Sequence, residues 1–409
     1  MSKARLAGRV LKAFKVLATL AIAGVAVLFA SLWLERRVET TLPTPTGAFA
    51  VGRVTLAWVD DALDTLAPVP GTKREILVWI WYPSAPGQPR AIDDYVPAPM
   101  RAAAGPASGV MALVTRDVSM VHGHSVRNAE VSPQQRSYPV VIMRGGASAA
   151  VVGYSTLAED LASHGYVVVG FDAPYRTSVV AFPDGRVMRR TPENNPELCA
   201  EQPLALQAAC VSKILMAWSA DIAFTLNRLE GLNAADPSGK FTGRLDMTRV
   251  GVFGHSFGGA TAAQFCHDDS RCKAAIDIDG QPFGSVVQDG LHQPFLFLMS
   301  DHGEPSDPVG RQIEANIQSI YDRLPVESRL RIAIRGANHF FFSDDGALLK
   351  SHIVIRALRM FGLVGIDGRR QLAVTAYCAR SFFDAHLNGN SASRLNLASP
   401  LYPEIHVLK

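Results

Sequence analysis

The stretch that most restricts what this chain can become is Gly254-His255-Ser256-Phe257-Gly258-Gly259. It follows the apolar run 250–253 and leads into small residues suited to a helix, so 250–263 reads as strand, tight turn, helix with Ser256 at the tip. In a G-x-S-x-G turn of this kind, the residues two before and two after the serine approach closely. A Cβ at Gly254 or Gly258 would clash there. The serine hydroxyl is left exposed, and the free amides of the new helix point at any negative charge that develops beside it. The plainer alternative is a glycine-rich turn with an incidental serine. An apolar strand before the motif and Gly258-Gly259-Ala260 after it favour a nucleophile.

Around that turn the chain alternates short apolar runs with helical patterns, which predicts an α/β fold with a mostly parallel sheet covered on both faces. Runs 49–59 and 75–82 predict an antiparallel hairpin at one edge. Further strands are expected at 139–143, 166–171, 250–253, 273–278, 294–299 and 330–334. Helices are expected at 154–164, 204–229, 346–361 and 371–387, with a short one near 110–115 inside the weakly patterned stretch 84–137. Residues 173–203 read as a polar, proline-rich excursion, 230–249 as a return loop, and 388–409 as lacking pattern. Four parts follow: a basic N-terminus and apolar helix at 1–37, a linker at 38–48, a catalytic domain at 49–390, and a tail at 391–409.

Functional groups of open parallel sheets gather at the carboxyl ends of strands. Here those ends carry a glycine loop (Arg144-Gly145-Gly146), then Ser256, then Asp279 or Asp301, then His339. Serine, acid, histidine is the chain order of α/β-hydrolases. A serine hydroxyl needs a base to attack an ester, so His339 would take its proton while a buried carboxylate holds the imidazole. His255, inside the elbow, is expected to pack beside the nucleophile rather than act as the base. The common strand layout favours Asp301 as the acid; Asp277, two residues before Asp279, is a third choice. Gly123-His124-Ser125 imitates the elbow but lacks both the leading strand and the closing glycine.

The elbow, Asp279-Gly280-Gln281-Pro282-Phe283 after a strand, and Arg335-Gly336-Ala337-Asn338-His339 resemble platelet-activating factor acetylhydrolases and their bacterial relatives in the dienelactone hydrolase-like group. Trp81-Tyr82-Pro83-Ser84, Asp160-Leu161-Ala162-Ser163-His164-Gly165 and Phe382-Phe383-Asp384 extend the resemblance over about 47–390, most weakly at 90–135 and 180–240. It implies an α/β-hydrolase fold and hydrolysis of short or oxidised acyl esters of glycerophospholipids. It also implies a triad of Ser256, Asp279 and His339, since in that family the acid follows the strand after the elbow strand. The oxyanion hole would be the amides of Gly146 and Phe257. One departure stands out. Relatives usually begin the glycine loop with His-Gly, whereas this chain has Arg144-Gly145-Gly146. Arg144 is expected either to place a cation near the site, altering substrate preference or pairing with a carboxylate, or to form a surface salt bridge.

The N-terminus is a separate matter. Lys3, Arg5, Arg9, Lys12 and Lys15 precede 16–34, which holds 19 residues without a charge, and Glu35-Arg36-Arg37 follow. That length spans a hydrocarbon core. The excess of basic residues before it predicts a signal-anchor with the catalytic body on the non-cytoplasmic side, periplasmic or extracellular. Cleavage near Ala26 or Ala30 would instead secrete the body. Cysteines at 199 and 210, at 266 and 272, and at 378 suit two short disulfides and a buried thiol in an oxidising compartment, although all five could equally be free. No pair has zinc spacing, and no metal or organic cofactor is expected. The net charge of +3, with no basic stripe, gives no support to nucleic-acid binding. The expected partners are therefore a small or lipid ester and the membrane. Two other readings compete: a general carboxylesterase, dienelactone or polyester hydrolase, and a non-enzymatic hydrolase-fold binding protein.

Overall fold

The computed structural model describes residues 3–85, 87, 91–105, 116–301, 303, 307–348, 355, 359–362, 365–389 and 399–408. Its strands are β1 (Thr40–Thr41), β2 (Ala50–Leu63), β3 (Lys73–Ser84), β4 (Ile92–Asp94), β5 (Val121–Arg127), β6 (Tyr138–Arg144), β7 (Val167–Asp172), β8 (Val179–Ala181), β9 (Val187–Arg189), β10 (Leu245–His255), β11 (Cys272–Ile278), β12 (Phe295–Ser300), β13 (Arg329–Ile334) and β14 (Ile405–Leu408). One sheet takes the order β1-β5-β2-β3-β7-β6-β10-β11-β12-β13-β14, with β4 added beside β5; β8 and β9 pair separately. From β7 to β13 all neighbours are parallel, as the alternating pattern predicts. Strand order reverses between β6 and β10. A crevice opens at such a reversal, and both the glycine loop and Ser256 sit there.

Period-two alternation decides which side chains enter which half of the core. In β3, Ile76, Val78, Ile80 and Tyr82 face one layer while Leu77, Trp79 and Trp81 face the other. Val140 and Ile142 of β6 repeat the division against Val141 and Met143. One layer is closed by helices Ser155–Ser163 and Gly368–Leu387, the other by Leu204–Ala234, Phe257–Asp268 and Pro308–Arg323. Each large apolar side chain removed from water contributes roughly 1.5–3 kcal/mol.

Several expectations change here. Residues 405–408, expected in a patternless tail, pair antiparallel with β13 and cap its edge. The linker 38–48 contains β1, which pairs with β5. The unplaced stretch 84–137 contains β4, β5 and the helix Ala98–Ala104, and the expected helix at 110–115 lies outside the described residues. The helix expected at 346–361 is described only as Asp345–Leu348, residue 355 and a piece at 359–360. The long helix continues through Ala234 rather than stopping at 229.

Two disulfides form, Cys199–Cys210 and Cys266–Cys272, with Cα separations of 5.6 and 5.2 Å. Cys378 is free and buried. The first disulfide ties the proline-rich excursion to the helix that follows, and the second joins the end of the elbow helix to β11.

The N-terminal helix runs from Lys3 to Glu35, and its segment Lys12–Glu35 is long and apolar enough to cross a membrane. Ala205–Ala234 passes the same test of length and composition, but more than half of it is buried in the body. At the foot of the N-terminal helix the backbone carbonyls of Arg36, Val38 and Thr41 accept hydrogen bonds from Asp117 N, Arg116 Nη1 and Arg369 Nη2, at 3.1, 3.1 and 2.7 Å.

Candidate active site

Ser256 caps the elbow helix with φ 56° and ψ −127°. A side chain rarely takes that conformation, and strain of this kind marks functional turns. The surrounding glycines make room for that turn. A Cβ at Gly254 would lie 2.1 Å from Gly258 O, and one at Gly258 2.4 Å from Gly145 O. The serine amide is anchored to Ile278 O at 2.8 Å, so the turn is fixed from the β11 side as well.

Asp279, just past β11, also has a left-handed backbone, with φ 55°. Its Oδ2 lies 2.7 Å from His339 Nδ1 and accepts Ser300 Oγ at 2.7 Å; Oδ1 accepts the Ser300 amide at 2.8 Å. Its side chain is 1% exposed, against 32% for His339. A carboxylate this buried, and bonded by these donors, orients the imidazole and favours a proton on Nδ1. Asp301 does not reach His339. It accepts the Gly336 amide at 3.3 Å, within the loop that carries the histidine. Asp277 is wholly buried, and its Oδ1 accepts the Gly280 amide at 2.8 Å, bracing the turn at Asp279; burial raises its pKa well above the ordinary value. Ser256, Asp279, Asp301 and His339 all line one open cavity of about 1040 Å³.

The base loop is held from the last helix. Gln371, fully buried on Gly368–Leu387, accepts the Asn338 amide at 2.9 Å and donates to Asn338 O at 2.8 Å. Five residues beyond His339, buried Asp344 accepts Thr156 N and Tyr95 Oη, each at 3.1 Å. Burial pushes its carboxyl up from 3.8 to about 7. The folded chain therefore keeps a proton that the unfolded chain has lost, and stability falls as pH rises from 3.8 to about 7. In Asp344→Asn this loss is expected to vanish, so the variant's melting temperature gains on that of the parent across the window. Thermal denaturation at its two ends measures the difference, and parallel pH dependences would refute the assignment.

Two expected placements change. The Gly146 amide, expected as an oxyanion donor, has a partner inside the protein: it donates to Tyr154 Oη at 3.0 Å. Among the described residues the Phe257 amide, first in its helix, and the next loop amide, that of Ala147, donate to no protein acceptor. Arg144 is neither at the surface nor in an ion pair among the described residues. It is 3% exposed, lies 4.2 Å from the Trp218 ring and 4.4 Å from that of Phe171, and donates to Phe171 O at 2.7 Å. Burial lowers its pKa to about 10, which leaves it charged at neutral pH. Trp218 in turn meets Phe257 edge-on at 5.0 Å, so Arg144 buttresses the residue after the serine instead of lining the cavity. The elbow imitation places Ser125 inside β5, where its hydroxyl donates to Glu159 Oε1 at 2.6 Å.

His255 is buried, and burial together with the neighbouring His339 lowers its pKa to about 3. It is neutral, and its Nδ1 bonds Tyr154 Oη at 2.8 Å. Sequence reasoning named neither Tyr154, Gln371 nor Trp218 as part of the site. Each reaches it across a long chain separation, and none belongs to a local motif.

Known proteins resemble this chain in sequence and in fold. A family model described as "Platelet-activating factor acetylhydrolase, isoform II" matches residues 36–182 and 225–394. A protein of Arthroderma benhamiae named probable 1-alkyl-2-acetylglycerophosphocholine esterase is 25% identical over 281 residues, 65% of either chain. The Bos taurus platelet-activating factor acetylhydrolase is 26% identical over 267 residues, 61% of this chain and 57% of that one. The chain thus spans at most 65% of the length of these curated relatives. Among solved structures, a ferulic acid esterase from Streptomyces cinnamoneus superposes with a TM-score of 0.72 at 28% identity, over 91% of this chain and all of that one.

Proposed function

Because the chain belongs to the platelet-activating factor acetylhydrolase isoform II family, we propose that it is a serine ester hydrolase that removes short or oxidised acyl groups from glycerophospholipids. The observation that carries this is the 2.7 Å contact between His339 Nδ1 and Asp279, at the cavity that Ser256 also lines. Ser256 Oγ attacks the ester carbonyl as His339 Nε2 takes its proton, and Asp279 steadies the imidazolium. The oxyanion that forms receives the Phe257 and Ala147 amides, backed by the positive end of the elbow helix. Collapse passes the proton to the leaving lysophospholipid oxygen. A water then repeats the sequence on the acyl-enzyme.

The likeness to a ferulic acid esterase supports a second reading, a hydrolase of hydroxycinnamic acid esters. Kinetics on a 2-acetyl glycerophosphocholine, a 2-butanoyl and a 2-palmitoyl analogue, and methyl ferulate separate the two. The phospholipid reading expects kcat/KM to be highest for the acetyl and butanoyl lipids; preference for the ferulate would overturn it.

We also propose that the N-terminal helix anchors the body on the non-cytoplasmic side of a membrane. The apolar span of Lys12–Glu35, the basic residues before it and the two disulfides support this. The full chain is expected to stay with membranes through an alkaline carbonate wash, and external protease should reach the body in spheroplasts or intact cells. Recovery in the soluble fraction with the helix removed would instead indicate cleavage.

A further inference from the structure

Two of the loops that carry the site are joined by a buried polar chain that the proposed reaction does not use. The Gly146 amide donates to Tyr154 Oη at 3.0 Å, and that oxygen lies 2.8 Å from His255 Nδ1. Tyr154 is 2% exposed and His255 6%. Counting protons gives the chain its direction. An amide can only donate, so Tyr154 Oη accepts from Gly146, and the phenolic proton is left with one described acceptor, His255 Nδ1. The opposite arrangement would bury both the phenolic hydrogen and the Nε2 lone pair without partners, whereas this one leaves only the Nε2 hydrogen without a described acceptor, so the opposite is the costlier. His255 therefore holds its proton on Nε2, and its ring packs 4.5 Å from that of His339. The third loop is thereby in contact with the chain.

Gly146 lies hard against the nucleophile: a Cβ there would be 3.2 Å from Ser256 Cβ and 3.4 Å from His255 Nδ1. Fixing the Gly145–Gly146 peptide also restricts the next amide, because the two peptides share the Gly146 Cα. Nothing else among the described residues accepts the Gly146 N–H.

We propose that Tyr154 and His255 are positioning residues that hold the Gly146 peptide so that the Ala147 amide faces Ser256. The inference rests on the serine hydrolase reading and extends it from the triad to the alignment of the oxyanion donors. An oxyanion donor acts mainly on the transition state, so disturbing its alignment lowers kcat and leaves KM nearly unchanged.

The test combines Tyr154→Phe, His255→Phe and the double variant, with Ser256→Ala as control, on p-nitrophenyl acetate. Each single change is expected to lower kcat about tenfold with KM within about twofold, because each removes one link of a buried hydrogen-bonded chain. Since both break the same chain, the double variant is expected to lose no more than either single. Unchanged kcat in Tyr154→Phe beside an inactive Ser256→Ala would overturn the proposal, as would losses that multiply. An active Ser256→Ala would instead remove the hydrolase reading. If the ring variants do not fold, ¹⁵N-histidine NMR of the unaltered chain still decides. His255 is expected to carry its proton on Nε2 and to stay neutral between about pH 5 and about pH 8; a proton on Nδ1 contradicts the bracket.

Discussion

Ser256→Ala is expected to lower kcat by a factor on the order of 10⁶, as loss of the nucleophile does in a well-studied serine protease. Labelling by a fluorophosphonate probe should disappear with it. The reason is local. With its left-handed backbone, Ser256 opens the elbow helix, and the glycines at 254 and 258 allow the close approach that holds it there. Two other candidate hydroxyls are engaged: Ser300 donates to Asp279, and Ser125 is buried against Glu159. Alanine keeps the elbow intact, so the melting temperature should hardly move, and folded but inactive protein is the expected product. Turnover within tenfold of the parent would remove Ser256 from the proposed role.

Asp279→Asn should cost about 10⁴ in kcat, the scale seen when the triad acid becomes an amide and the histidine tautomer is lost. Asp301→Asn should cost less than about tenfold, because among the described residues Asp301 meets only a weak backbone donor in the loop of His339. The contrast is diagnostic because both carboxylates line the same cavity. In Asp279→Asn the substituted side chain can still accept the Ser300 amide. Its own N–H, however, would face His339 Nδ1 and drive the proton to Nε2, where a base must be free. Equal losses in the two variants, or a larger loss at Asp301, would reverse the assignment.

What the sequence made legible follows the range of the forces involved. The elbow could be read because its requirement is steric and spans six residues. His339 could be read because it follows the last parallel strand. The choice between Asp279 and Asp301 is a matter of tertiary direction. Both stand at strand ends, and only the left-handed turn at Asp279 swings its carboxylate toward the imidazole. Arg144 shows the opposite failure. A lone arginine predicts water or a carboxylate, while two aromatic rings from distant segments take it into the interior. The partner of the Gly146 amide could not be read, because a tyrosine hydroxyl invisible to the local motif takes it. The strand at 405–408 is too short for its alternation to register as a pattern.

The joint at the foot of the N-terminal helix has a consequence for encounter. Five residues separate Leu34 from Thr40, a contour of roughly 17 Å at full extension. Even that slack is taken up, since the carbonyls of Arg36 and Val38 are bonded to the body. Under the anchoring proposed above, the body would have almost no leash. It would travel with its lipid surroundings at a nearly constant height and tilt, and it would meet esters by lateral diffusion in two dimensions. Its working substrate concentration would then be a surface density, which dilution of the surrounding fluid leaves unchanged.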